Sequence, residues 1–214
     1  MADAITARGI RMRGPWGPVY GPIDLDIEAG GVSVLRYPTG TGRTALLMTL
    51  AGRMKPVEGQ VTVFGKTKAT DIFKMSALAC IDELDTVAES VTVRDLITEQ
   101  KRWDAPWYRF IGPADQTDLA TLCAPVFGDV ALPPLAKYFD ELTELEQTLL
   151  RIALANTATP PLLVVGNLDH ITDDGNRATV LQRLIALGEQ QTVITASVNV
   201  VAADTVTQLT VGSE

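Results

Sequence analysis

A strand, a glycine-bearing loop and a helix follow one another without interruption between residues 31 and 52, and no other feature limits the fold as much. Gly31-Val-Ser-Val-Leu35 is a short apolar run of the buried-strand type. After it comes Tyr37-Pro-Thr-Gly-Thr-Gly-Arg-Thr44. From Thr44 onward Ala45, Leu46, Leu47, Leu50 and Ala51 recur at helical spacing, and the pattern stops near Gly52, before Pro56. A flexible loop opening directly into a helix turns backbone N–H groups toward the positive end of the helix dipole, an arrangement that holds phosphate.

The rest of the chain alternates strand and helix. Ile23-Asp-Leu-Asp-Ile27 alternates like a half-exposed strand, and residues 60–64 read as another. From about Glu83 to Ala136 the sequence turns helical and aromatic, broken by Pro106, Pro113, Pro125 and the pair Pro133-Pro134, so an inserted helical subdomain is expected. A helix over 143–156 leads into Leu162-Leu-Val-Val165, suited to a central parallel strand, then a helix over 174–187, a strand at Thr192–Thr195 and a last strand at Val206–Val211. This order predicts an α/β fold with a mostly parallel sheet flanked by helices. One domain over 1–214 is expected, with a core of about 1–84 and 146–214 and a helical subdomain of about 85–145.

Bulk properties narrow the function. With 18 basic and 26 acidic side chains the net charge is −8, which gives no positive field to gather nucleic acid. Cys80 and Cys123 match no metal-ligand spacing, and the single His170 cannot build a histidine site, so both cysteines read as buried thiols of a reducing compartment. Met1-Ala-Asp-Ala is unlike a secretory leader and no stretch is apolar enough to span a bilayer, so a membrane role would come through a partner.

Against the phosphate-loop consensus G-x-x-x-x-G-K-[ST], Gly42 and Thr44 stand in place and Gly40 adds freedom, whereas Tyr37 replaces the first Gly and Arg43 the Lys. Arg43 keeps a positive charge, but a planar guanidinium does not substitute for a compact ammonium between two phosphates. On the octapeptide alone, a plain Gly/Thr turn stays open as an alternative.

The run from Gly30 to Gly65, with Thr49-Leu-Ala-Gly-Arg-Met-Lys-Pro-Val-Glu-Gly59 and Val61-Thr-Val-Phe-Gly65, resembles the first third of an ATP-binding-cassette (ABC) ATPase. The resemblance resumes at Thr92-Val-Arg-Asp-Leu96 and from Leu142 to the C-terminus, leaving out roughly 100–140. It implies a P-loop NTPase core with an antiparallel N-terminal β portion, ATP with Mg²⁺ as ligand, a membrane permease as partner, a homodimer or a heterodimer with another ABC subunit, and a cytoplasmic place at the inner face of the cell membrane. Thr39, Gly40, Thr41, Gly42, Arg43 and Thr44 would then hold phosphates, with Thr44 and Glu83 toward the metal. Trp16 or Tyr20 would lie near the adenine-stacking position, and a packing role for either ring is equally open.

The same resemblance marks what is missing. The family's L-S-G-G-Q signature lies 24 residues before the Asp that closes the Walker B strand, the spacing that links Leu142 to Gly166 here. Thr143, Glu144, Leu145 and Glu146 stand where Ser, Gly, Gly and Gln would be. Gly166 and Asn167 replace the Mg²⁺-supporting Asp and the catalytic Glu, Glu83 the Gln that senses metal and water, and Val198 the switch His. None of Gly166, Asn167 and Val198 can accept a proton as a carboxylate or imidazole does, so no catalytic residue is assigned. Asp169, two residues beyond Asn167, reads either as a stand-in for the missing carboxylates or as a solvated loop aspartate, and Glu83 either as a metal ligand or as a surface glutamate of Asp82-Glu-Leu-Asp85.

Three functions follow from these residues. The first is a transporter-type subunit that binds ATP weakly with little or no hydrolysis, and the second a scaffold that keeps the fold without a nucleotide. The third, an active kinase or GTPase of another kind, lacks a convincing set of carboxylates. The aromatic segment Arg102-Trp-Asp-Ala-Pro-Trp-Tyr-Arg109 reads either as packing of the helical insert or as a surface for a partner.

Overall fold

The computed structural model describes residues 3–37, 40–81, 87 and 90–211. Two sheets share the core. Strands β1 (Asp3–Gly14), β2 (Gly17–Glu28) and β4 (Glu58–Val63) form an antiparallel sheet in the order β2-β1-β4. The second sheet contains β3 (Val32–Arg36), β5 (Ser76–Ala79), β6 (Leu162–Asn167), β7 (Thr192–Ser197) and β8 (Val206–Thr210), in the order β5-β6-β7-β3-β8, with every pairing parallel. The expected α/β class, parallel sheet and antiparallel N-terminal portion are all present.

Helix α1 (Thr41–Leu50) leaves the end of β3 and packs Leu46, Leu47 and Leu50, all fully buried, between the two sheets with Ile5, Ile27 and Val164. Helices α3 (Val93–Asp104), α4 (Gln116–Phe127) and α5 (Glu144–Ala155) pack on one another, and α6 (Asp174–Gly188) joins α4 and α5 on the other face of the parallel sheet. Each of α3, α4 and α5 opens with a capping box, Thr92 with Asp95, Asp115 with Asp118 and Thr143 with Glu146, which satisfies backbone donors and fixes where each helix begins.

The sequence reading has no counterpart for β1, β5 or the short helix α2 (Ala69–Lys74). In β1 the pairing register shifts four times, so its apolar residues do not keep the period of two that marks a strand. The region expected to be helical and aromatic holds α3 and α4, with the chain irregular between them over 105–115. There Trp103, Trp107, Tyr108 and Phe110 stand in solvent, up to 95% exposed at Trp107, so the reading of this segment as packing of the insert gives way to an uncovered aromatic surface.

Candidate functional site

The parallel strands deliver the site at their C-terminal ends, where β3 turns into α1 and β6 and β7 end beside it. Gly40 is the N-cap of α1, with φ 139°, and neither a capping side chain nor an acidic residue occupies the first turn of this helix. Its leading N–H groups therefore keep their positive potential for an anion. Gly42 has no room for a side chain, because a Cβ there would lie 2.3 Å from the Val19 carbonyl oxygen and 3.1 Å from the Tyr37 hydroxyl. Tyr37 is thus folded against the helix start, and burial raises its phenol above the ordinary range. Thr44 is half-buried in the first turn. Thr39 and Glu83 lie outside the described residues, as does the side chain of Thr41.

Arg43 is the main surprise. Its guanidinium Nη1 donates to Asp169 Oδ2 at 3.2 Å, and the two side chains are only 8% and 18% exposed. Asp169 sits in a single 3₁₀ turn, Leu168–His170, directly after β6. The same carboxylate accepts from the Ser197 hydroxyl and from the Val198 N–H, both at 2.7 Å. One aspartate thus ties the phosphate loop, the end of β6 and the end of β7 together, and the reading of Asp169 as a solvated loop residue is wrong. A buried guanidinium needs a counter-charge, and the residue two places beyond the Walker B strand supplies it.

The Walker B position is closed by backbone. A Cβ on Gly166 would meet the Cys80 carbonyl oxygen at 1.8 Å, far inside van der Waals contact. The β6–β7 register shifts between Val164 and Asn167, and Thr195 Oγ1 donates to the Gly166 carbonyl at 2.7 Å, which fixes the strand there. Asn167 spends its side-chain oxygen on the Asp169 N–H at 3.1 Å. Thr44, Cys80, Gly166, Asn167 and His170 line a narrow gap of about 20 Å³, and Cys80, Gly166, Asn167 and His170 also line a neighbouring cavity of about 210 Å³ that reaches Glu144 and Gln147.

The signature position is occupied in a different way. Thr143 caps α5, and Glu146 returns its carboxylate to the Thr143 N–H at 2.8 Å and to Lys137 at 3.2 Å. Glu144 turns toward the segment after β6, accepting from the Thr172 N–H and hydroxyl at 2.9 Å each and more weakly from Asn176. Hydrogen bonds from Thr172 hold Glu144 below the usual carboxylate range. Burial pushes Glu146 up, but bonds from Thr143 and Lys137 outweigh it and the net shift is downward. Two ionised carboxylates thus fill the first turn of a helix whose N-terminus would otherwise attract an anion.

The two candidate stacking rings separate cleanly. Tyr20 is core, its hydroxyl 2.7 Å from Thr49 Oγ1, whereas Trp16 is 99% exposed in the turn joining β1 and β2. The described loop residues and Thr44 are gathered at one helix start, against which Val19 of the same hairpin as the exposed Trp16 packs. Among the described residues the start of α1 offers N–H donors to an anion, and of the positions expected near a metal Thr44 offers one oxygen and Gly166 none, Glu83 lying outside the described residues. Sequence reasoning missed the Arg43–Asp169 pair and the Glu144–Thr172 link. The available signal was an arginine in a lysine's place, which demands a planar acceptor, together with an aspartate just past the strand end.

Comparison with known proteins agrees with this geometry. A model of the family described as "ABC transporter" matches residues 20–173. The cytochrome c biogenesis ATP-binding export protein CcmA of Pseudomonas putida (strain GB-1) is 31% identical over 97 residues, 45% of this chain and 44% of that protein. The probable multidrug ABC transporter ATP-binding protein YbhF of Escherichia coli (strain K12) is 44% identical over 68 residues, 30% of this chain and 12% of that protein. The matched stretch thus spans less than half the length of these relatives. Among solved structures, the ADP conformation of MJ1267, an ATP-binding cassette of an ABC transporter, superposes with a TM-score of 0.74 at 13% identity, covering 94% of this chain and 83% of that one. An ABC transporter ATP-binding protein described as putative, from Pyrococcus furiosus, gives 0.70 at 20% identity over 96% of both chains. With its phosphate loop, its two sheets and a family match over most of its length, the chain belongs to the ABC transporter family.

Proposed function

We propose that this chain is an ABC-type subunit of a membrane complex that takes up nucleotide weakly at the start of α1 and hydrolyses it little or not at all. The pairing of Arg43 with Asp169 carries this reading, because the loop's cation is already neutralised inside the protein. The uncapped start of α1 supports residual binding through Gly40, Thr41, Gly42 and Thr44, and Thr39 belongs to the same loop by sequence. Trp16, free on its hairpin, is the ring available to an adenine. Loss of hydrolysis follows from Gly166, where the strand has neither a carboxylate nor space for one.

Among the described residues no helix is long and apolar enough to cross a membrane, so the proposed place at the inner face of a cell membrane depends on a permease partner. The helical part, taken as about 85–145, would meet that partner with the exposed rings of Trp103, Trp107, Tyr108 and Phe110, an aromatic patch of the kind that marks interaction sites. Pairing with a second ABC subunit, identical or different, belongs to the same proposal.

The second reading, a scaffold without nucleotide, is favoured by the same Asp169 carboxylate, which stands in for a phosphate oxygen as partner of Arg43. A titration with a fluorescent ATP analogue, alongside phosphate release with and without the co-purifying membrane partner, separates them. Saturable binding with negligible turnover is the expected result. Turnover at rates typical of phosphoryl-transfer enzymes, about 1–100 s⁻¹, would overturn the proposal, and absent binding would select the scaffold.

A further inference from the structure

A cavity of about 470 Å³ opens between the last turn of α1, strand β4 and the first turn of α2, at the opposite end of α1 from the phosphate loop. Small-molecule sites occupy about 300–1,000 Å³. Met54, Val61 and Ile72 line it with apolar side chains, and Lys55, Lys68, Thr67 and Thr70 bring polar ones. None of these four polar side chains has a hydrogen-bond or ion-pair partner among the described residues.

The charge here runs against the rest of the chain. Residues 53–74 hold five basic and two acidic side chains, whereas the whole chain carries a net charge of −8. Of the two acids, Glu58 is taken by Arg11 at 3.2 Å, and Asp71 is not part of the cavity wall. Arg53, next in sequence to Met54, adds a cation without a counter-charge. Its guanidinium donates to the Ala51 carbonyl at 2.6 Å, to the Ser76 carbonyl at 3.0 Å and to the Ser76 hydroxyl, and it lies over the Phe73 ring at 4.2 Å. Among the described residues no carboxylate pairs with it, and burial lowers its pKa below the ordinary arginine value. A half-buried charge held by neutral groups alone leaves a positive potential around it, which an anion relieves.

The donors select the kind of anion. Two ammonium groups and two hydroxyls are point donors that suit a tetrahedral dianion, while the planar fork of Arg53, which would grip a carboxylate two-handed, is spent on Ala51 and Ser76. Met54, Val61 and Ile72 belong to the cavity itself, so the apolar body of the ligand enters with its charge. A lipid phosphate, whose chains stay in the bilayer, would leave those side chains uncovered.

We infer that this cavity binds a small phosphomonoester, its phosphate on Lys55 and Lys68 and its organic body on Met54, Val61 and Ile72. The inference is independent of the nucleotide reading, since no residue of 37–44 forms this wall.

The test is an amide NMR titration of the full chain, at constant ionic strength, with phenyl phosphate, inorganic phosphate and phenol. Phenyl phosphate is expected to give saturable shifts at residues 54–61 and 67–72. Inorganic phosphate lacks the apolar body and phenol the charge, so each should bind there about tenfold more weakly. Lys55→Gln and Lys68→Gln, both at exposed positions, should each weaken phenyl phosphate about threefold. Lys66→Gln, at a lysine outside the wall, should leave the affinity unchanged. Shifts confined to residues 40–47 would place the phosphate at the start of α1 and overturn the inference. So would an absent response, an equal response to phenol, an equal loss in Lys66→Gln, or retention of the chain on phosphatidic acid vesicles without a response to phenyl phosphate.

Discussion

Replacing Asp169 by alanine takes the acceptor from three donors at once: the Arg43 guanidinium at 3.2 Å, the Ser197 hydroxyl at 2.7 Å and the Val198 N–H at 2.7 Å. Removing one member of a buried ion pair costs about 3–5 kcal/mol, because the other charge stays buried and unpaired. Here the two side chains keep 8% and 18% exposure, so water relieves part of that penalty. A loss of about 2–4 kcal/mol is expected once partial solvation is allowed for. In a chain of 214 residues this lowers the melting temperature by about 5–15 °C. Asp169→Asn keeps one acceptor oxygen and should cost about half as much. Urea unfolding of Asp169→Asn, Arg43→Met and the double variant gives the coupling directly, expected at about 1–3 kcal/mol. Nucleotide affinity provides an independent readout. Freed from its internal partner, Arg43 can turn to phosphate, so Asp169→Asn should bind the ATP analogue about tenfold more tightly, the worth of one charge-assisted hydrogen bond. In the otherwise unaltered chain, Arg43→Ala should by contrast change that affinity little. A coupling below about 0.5 kcal/mol, together with unchanged nucleotide affinity in Asp169→Asn, would refute the reasoning.

Three further outcomes are expected. Gly166→Asp should not restore hydrolysis, and it should destabilise the chain by about 2–3 kcal/mol or more, because its Cβ meets the Cys80 carbonyl oxygen at 1.8 Å; phosphate release and a denaturant melt check both parts. Glu144 is held below the ordinary glutamate range by hydrogen bonds from Thr172, so its stabilisation is present above that range and is lost as pH falls through the depressed value; stability of Glu144→Gln should therefore depend less on acid pH over that window. Burial pushes the Cys123 thiol up to about 12, so iodoacetamide near neutral pH should spare Cys123 in the folded chain and alkylate it only after unfolding, as mass spectrometry of peptides would show.

The fold was legible wherever hydrophobic period and loop chemistry agreed. The buried run Leu162–Val165 and the strand–loop–helix at 31–51 could be read directly, since both faces of the parallel sheet are covered and the helix start needs glycine. Strand β1 escaped because its bulges break the alternation, and β5 because four residues, Ser76–Ala79, are too short and too small to show a pattern. At the site, the residue types missing from the family pattern were plain from spacing alone. What could not be read was where the remaining charges turn. The pairing of Arg43 with Asp169 spans 126 positions and that of Glu144 with Thr172 spans 28, and contacts of such separation follow from the packing of β6 against β7 and α5, not from any local pattern.

The starts of α1 and α5, which the family resemblance assigns to the phosphate loop and the signature, are treated in opposite ways by this chain, and the contrast bears on the proposed loss of hydrolysis. At α1 the first turn is uncapped and free of acid, so its dipole still favours an anion, although the loop's cation looks away toward Asp169. At α5 the Glu146 N–H donates to Thr143 Oγ1, and Glu144 and Glu146 bring two negative charges to the same turn. A phosphate approaching α5 would have to displace Glu146 from the Thr143 N–H and Glu144 from Thr172, and would meet both charges at short range. Those carboxylates are not idle remnants. Glu144 joins α5 to the segment that follows β6, and Asp169 joins that same segment to α1 and β7, so residues 168–173 are fastened from both sides by contacts within one chain. In an anion-driven machine that segment has to respond to what the site holds. Here internal carboxylates hold it in one arrangement, and a ligand can shift such an equilibrium only by its differential affinity for the two states. A phosphate bound at α1 alone gains nothing from α5, so it has little free energy with which to break either tie.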